Sequence, residues 1–190
     1  MNYLILVAAW IVYLGSHSFF AANGVKGFFK KYLSSLHRIY RFLYSVISSL
    51  GLMAILGLMA TMEAKYLFKS SRIVQYVGMV LAVWGIILVV ASFRKLSGKA
   101  FLGLTAQMET PLVTDGIHGK VRHPIYSGTI LIFVGMFLYV PSDIVLLSIG
   151  VIFLYLPAGI YLEEKKLVEE FGAEYLSYKK RVPAIIPGIF

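Results

Sequence analysis

Residues 127–162 read SGTILIFVGMFLYVPSDIVLLSIGVIFLYLPAGIYL: two apolar runs, Ser127 to Val140 and Ile144 to Leu162, parted only by Pro141-Ser142-Asp143. Proline cannot continue a helix and Ser or Asp caps the next one, so the break predicts a tight hairpin between two helices. Working outward, three further stretches run without a charged side chain: Leu4 to Ala22, Phe42 to Met62 and Ile73 to Phe93. Each reaches the roughly 20 helical residues that a hydrocarbon core about 30 Å thick requires. The expected fold is all-α: a multi-pass membrane bundle of about five transmembrane helices, the last two forming the hairpin.

Composition excludes the other classes. The 190 residues are 59% hydrophobic and only 14% charged, with a mean hydropathy of +0.80. A water-soluble domain has nearer half and a quarter, and a disordered chain has the opposite balance. No internal repeat, low-complexity tract or second soluble domain is visible, so residues 1–190 read as one unit. Met1 to Tyr3 carries no basic side chain and no small-residue cleavage site follows, so the first run reads as an uncleaved span.

The net charge of +9 follows membrane topology rather than nucleic acid. Lys and Arg number five in 23–41, three in 63–72, five in 94–126, none in 141–143 and five in 163–190. With the N-terminus outside, fifteen of the eighteen lie in the cytoplasm, the C-terminus among them. A cell-membrane protein, N-out and C-in, is the expectation. There is no Cys, which removes disulfides and thiol ligands, and His17, His37, His118 and His123 lack metal-site spacing, so no metal is expected.

Polar chemistry therefore belongs to the cytoplasmic side, in two segments. The first lies in the loop from Arg94 to Tyr126, longer than the usual connection of about 2 to 8 residues in a bundle. Asp115-Gly116 marks a turn, and Pro124 suits the first turn of the fourth span, beside whose free N–H groups Arg122 and His123 would sit. Interfacial anchoring by Arg122, Tyr126 and a capping His123 is the competing explanation.

The second segment is Glu163-Glu164-Lys165-Lys166 after the last apolar run. Two carboxylates at a helix C-terminus oppose its dipole unless the helix continues or a cation is bound; a salt-bridged extension is equally compatible. The final KKRVP-containing tail either rests on anionic lipid or folds back over a site. Gly78 and Gly85, Gly51 and Gly57, and Gly128 and Gly135 offer small faces for helix contact. Pro157 with Gly159 is expected to kink the fifth span. His17, between Ser16 and Ser18, either hydrogen-bonds across the bundle or lines a pocket.

The stretches LVTDGIHGKVRHPIYSG (Leu112 to Gly128) and EEKKLVEEFGAEYLSYKKRVPAIIP (Glu163 to Pro187) resemble the isoprenylcysteine carboxyl methyltransferases and their phospholipid and small-thiol methyltransferase relatives. HSFFAANGVKGFF and RIYRFLYSVIS further resemble a bacterial subgroup of methanethiol methyltransferases and membrane proteins associated with nitrite and nitric-oxide reduction. Thr110-Pro111, where the family often has His, and Gly116-Ile117-His118, where it usually has Gly-Ile-Tyr, are departures.

The resemblance implies methyl transfer from S-adenosylmethionine to a small or lipophilic acceptor (a carboxylate, thiol or amine) at the cytoplasmic face, with residues 94–190 forming the cofactor-binding part. It implies cofactor contacts from Leu112, Val113, Gly116, His118, Arg122, His123, Tyr126, Glu163 and Glu164. Glu163 and Arg181 are the candidate catalytic residues. A sulfonium cation with a zwitterionic tail agrees with this set: carboxylates and an aromatic face for the cation, donors for its carboxylate. Membrane lipid is the other expected partner, and nucleic acid is not. Two alternatives stand beside it. An NADPH-dependent reductase of the sterol-reductase type lacks a GxGxxG fingerprint in this chain, and a non-enzymatic accessory protein of nitrogen-oxide metabolism rests on the N-terminal likeness alone.

Overall fold

A computed structural model describes residues 2–32, 34–95 and 111–189. Seven helices are described: α1 (Asn2–Ala21), α2 (Asn23–Tyr32), α3 (Ser34–Thr61), α4 (Arg72–Lys95), α5 (Pro124–Tyr139), α6 (Asp143–Phe171) and α7 (Ala173–Arg181). Among the described residues no strand forms; one isolated bridge pairs Tyr66 with Ser142. Helices α1, α3, α4 and α6 contain spans long and apolar enough to cross a membrane, and α5 is a shorter apolar helix. The protein is a multi-pass helical membrane bundle, with the five apolar helices that the sequence leads one to expect.

The hairpin forms as the Pro-Ser-Asp break predicts. Ser142 caps α6, its hydroxyl accepting from the Val145 N–H at 3.3 Å, and Pro141 and Ser142 are both buried. Asp143 ties this end together: its carboxylate accepts from the Tyr3 hydroxyl at 2.6 Å and from the Lys65 N–H at 3.0 Å.

The closest partner of α5, however, is α4. A Cβ on Gly135 would lie 2.4 Å from the Gly78 carbonyl oxygen, and one on Gly85 would lie 2.5 Å from that of Gly128. Backbone therefore meets backbone at two levels, as small residues permit where lipid gives no hydrophobic drive between helices. Gly51 lies under the Tyr13 ring, whereas Gly57 faces open space, so the expected Gly51/Gly57 contact face is only half realised. A second cluster, built on Leu6, Trp10, Ile55, Phe133, Ile152 and Leu156, joins α1, α3, α5 and α6. Trp10 donates its indole N–H to the Ser148 hydroxyl at 3.0 Å, which satisfies a buried polar pair inside this apolar contact.

Two helical features differ from the sequence reading, and a third realises one of its alternatives. Asn23–Tyr32 forms a helix of its own, and α3 starts at Ser34, eight residues before the apolar run. Both extensions are polar, and hydropathy marks only the part of a helix that lies in lipid. Most important for the site, α6 does not stop at Leu162 but continues through Glu163 and Glu164 to Phe171. The carboxylates thus stand in a continuing helix and escape the repulsion of its C-terminal carbonyls. Gly172, at φ +54°, then takes a backbone conformation that favours glycine and turns the chain into α7.

Candidate functional site

The RHP segment is held at the mouth of α5 by the tail. The Arg122 N–H donates to the Pro183 carbonyl at 2.8 Å and the His123 N–H to the Ala184 carbonyl at 2.9 Å. The Ser127 hydroxyl donates to the Ile185 carbonyl at 2.6 Å. Pro124 occupies the first turn of α5, as its missing N–H predicts, and His123 precedes it without a side-chain cap bond. Of the two readings of the tail, folding back is the one the structure shows.

Glu164 is the centre of the arrangement. Its Oε1 accepts from Arg122 Nε at 2.9 Å and lies 2.8 Å from Nη2, a two-pronged pair with both side chains 9% exposed. Its Oε2 meets Lys179 Nζ at 2.5 Å. The remaining Arg122 nitrogen donates to the carbonyls of Lys179 and Val182. One guanidinium thus joins the loop before α5, the end of α6 and the end of α7, and its fork geometry suits both the carboxylate and the carbonyls.

His123 stands between the two carboxylates, Nδ1 3.4 Å from Glu163 and Nε2 3.3 Å from Glu164. Burial alone would push its pKa down, but hydrogen bonding and charge from Glu163 and Glu164 outweigh it and hold the imidazole above its ordinary value. The ring is buried, whereas the Glu163 side chain is 44% exposed. Glu163 is therefore the member of the cluster that opens outward. The Tyr126 ring lies 5.6 Å from that of His123, and its hydroxyl sits where a Cβ on Gly159 would be 3.3 Å away. Only glycine there leaves room for both Tyr126 and Tyr155.

The other candidate residues divide. Leu112 packs on a buried cluster of Tyr175, Tyr178 and Val182. His118 is buried, and its carbonyl accepts from the Tyr178 hydroxyl at 2.6 Å. Gly116, at φ +61°, makes the turn expected of Asp115-Gly116. Val113 is half-buried in the same loop. Thr110, in the other family departure, lies outside the described residues, as do the rest of residues 96–110.

Arg181 is not brought into this cluster: it is exposed, and its Nε donates to the Ser177 carbonyl of its own helix at 3.3 Å. Lys179 takes the place beside Glu164, a role the sequence reading missed. Tyr175, Tyr178 and Lys179 fall at i, i+3 and i+4 and so share one face of α7, which was the available signal. The Tyr175 hydroxyl is buried, feels the Glu164 charge, and completes no hydrogen bond among the described residues. Burial first, then the charge of Glu164, raises its pKa.

A family model described as phospholipid methyltransferase matches residues 73–174, just over half of the chain. The chain belongs to the phospholipid methyltransferase family. The match spans α4, α5 and α6 and the turn into α7, so the RHP and EE elements lie inside this family region while Lys179 and the tail lie beyond it. Among curated relatives, methanethiol S-methyltransferase 1 of Bradyrhizobium diazoefficiens is 36% identical over 81 residues, 43% of this chain and 26% of its own length. The methanethiol S-methyltransferase of Crocosphaera subtropica is 34% identical over 93 residues, 48% of this chain and 36% of its own. The protein-S-isoprenylcysteine O-methyltransferase of Schizosaccharomyces pombe is 35% identical over 95 residues, 48% of this chain and 40% of its own. The chain thus spans two fifths or less of the length of these relatives. No solved structure matches it.

Proposed function

We propose that this protein transfers a methyl group from S-adenosylmethionine to a small or lipophilic acceptor at the cytoplasmic membrane face. The observation that carries this reading is the outward-facing Glu163 beside His123 and Tyr126, at the end of two membrane helices. Family membership and relatives named as S- and O-methyltransferases support it. The excess of basic residues at this end of the helices supports the cytoplasmic placement.

The residues present fit such a donor. Glu163 offers a half-exposed carboxylate to a cation, Tyr126 an aromatic ring, and Tyr175 a buried hydroxyl without a completed hydrogen bond. The turn from Leu112 to Gly116, with Val113 and the backbone before His118, provides the wall for the base. Bound there, the sulfonium supplies an electrophilic methyl group. Arg122, Glu164 and Lys179 act differently from the donors expected in the sequence reading: engaged with one another, they fix the walls of the site. His123 holds its proton between two carboxylates and so orients Glu163. Arg181, exposed at the end of α7, serves the acceptor rather than the donor. Rate then comes chiefly from alignment, since displacement at a methyl carbon needs its partners about 3 to 3.5 Å apart and in line.

Calorimetric titration of S-adenosylmethionine and, separately, NADPH into the protein in lipid nanodiscs tests this. Saturable binding of the sulfonium, weakened at least about tenfold by Glu163→Gln, is expected. Binding of NADPH instead, or of the sulfonium unchanged by Glu163→Gln, overturns the assignment.

A further inference from the structure

Between α1, α2 and α3, in the half of the chain outside the family match, lies a cavity of about 470 Å³. That size falls within the roughly 300 to 1,000 Å³ of small-molecule sites. Its walls are largely apolar, and it opens beside Val12 and Ile47, which are 69% and 66% exposed on membrane-spanning helices and so face lipid. Part-way along it, between the level of Ala9 and Ile55 and that of Phe20, Phe29 and Tyr40, the lining carries Ser16, His17, Tyr44 and Ser48. Among the described residues no Asp, Glu, Lys or Arg lines it.

This polar level neighbours the site described above. One residue beyond His17, the Ser18 hydroxyl bonds that of Tyr155, and Tyr155 and Tyr126 share the space over Gly159. His17 itself is held in place: its carbonyl accepts from the Tyr44 hydroxyl at 3.2 Å, and its ring lies 5.4 Å from the Tyr44 ring.

We propose that this cavity binds the methyl acceptor, that the acceptor is a thiol on an apolar body much larger than methanethiol, and that His17 takes the thiol proton. The inference rests on the methyl-transfer reading and adds the acceptor class. Among the described lining residues none offers a counter-charge to a carboxylate or an ammonium headgroup, whereas a neutral thiol needs none. A thiol enters neutral. The thiolate is the nucleophile, so a base beside the sulfur is needed to take its proton.

The reaction balances on these groups. The acceptor S–H bond breaks and its proton goes to an unprotonated nitrogen of His17. The thiolate sulfur then bonds to the methyl carbon as the carbon–sulfur bond of the sulfonium breaks, its electron pair staying on the departing neutral thioether. His17 returns the proton to water. Methanethiol, with one carbon and one sulfur, would leave nearly all of the cavity unfilled, whereas a chain of about ten carbons fits a site of this class.

Photolabelling in phosphatidylcholine nanodiscs tests the proposal, using decanethiol, decanoate and decylamine probes that each carry a diazirine, with labelled peptides read by mass spectrometry. Decanethiol is expected to label α1 and α3 saturably, and Leu43→Trp and Ile47→Trp, which fill the cavity and its mouth, to cut labelling about tenfold. Calorimetric donor binding is expected to stay unchanged in both. His17→Gln is expected to keep the labelling but lose about 100-fold in methylation of decanethiol. Equal labelling by decanoate or decylamine overturns the thiol assignment. Labelling that neither tryptophan variant reduces overturns the cavity, and full turnover in His17→Gln overturns the proton role. Loss of donor binding with thiol labelling intact overturns the methyl-transfer reading and leaves the thiol site standing.

Discussion

Arg122 and Glu164, 42 residues apart, meet through two guanidinium nitrogens at 2.9 and 2.8 Å on a single carboxylate oxygen, with both side chains 9% exposed. The contact pins one end of the bundle together: it joins the start of α5 to the extension of α6, and Arg122 also reaches two carbonyls at the end of α7. A pair so placed matters most when it is broken, because the surviving charge is left buried.

Glu164→Ala should accordingly destabilise the protein by about 3–5 kcal/mol, the cost of leaving Arg122 without its carboxylate. Lys179→Ala should cost no more than about 1 kcal/mol, since the Lys179 side chain is 45% exposed and water can replace the contact. Reversible denaturation of the two variants in detergent compares them directly. A larger loss for Lys179→Ala than for Glu164→Ala would contradict the central role of the buried pair.

The elevated pKa of His123 makes the cluster pH-dependent. Protonated His123 favours the folded state, so its contribution is fully present below the unfolded value of about 6.5 and fades as pH rises through the raised folded value. Stability should therefore fall as pH rises from about 6.5 through the raised folded value, and His123→Gln should flatten that fall. The imidazole proton resonances, followed by NMR through the same range, locate the titration; a midpoint below 6.5 contradicts the proposed charge state.

At the α4–α5 contact, Gly135→Ala places a methyl group 2.4 Å from the Gly78 carbonyl oxygen and 2.7 Å from the Ala82 nitrogen. Neither atom is the end of a flexible side chain, so the helices must separate, at a cost of about 1–3 kcal/mol. Gly57→Ala, which meets nothing within 4 Å, is the control and should be neutral or mildly stabilising. Thermal unfolding of the pair in one detergent gives the comparison.

Arg181→Lys should lower the methylation rate by about tenfold while leaving donor affinity within about twofold, because a compact ammonium on a flexible stem does not reproduce the guanidinium that helps an acceptor thiol ionise. Steady-state turnover and calorimetry on one preparation separate the two effects. Unchanged turnover would remove Arg181 from the acceptor side.

The sequence by itself determined the architecture at the level of spans. Uncharged runs of sufficient length leave helix as the solution in lipid, because every backbone N–H and C=O must be paired within the segment. It also set the Pro141-Ser142 hairpin with its cap, Pro124 at the start of α5 and the Gly116 turn, all of which follow from local chemistry. The resemblance at the RHP and EE segments marked both halves of the site. What only the tertiary structure decided is which partner each polar group takes. Glu164 chose Arg122 and Lys179, while Glu163 was left facing outward, although the two glutamates are adjacent and identical in chemistry. That difference comes from helical geometry. Successive side chains on α6 point about 100° apart, so one faces the fold-back of α7 and the other faces Tyr126. Lys179 faces the cluster and Arg181 the surface for the same reason, two residues on α7 being enough to turn a cation from one to the other. The cavity beside His17 belongs wholly to the tertiary level, because it exists only where α1, α2 and α3 meet.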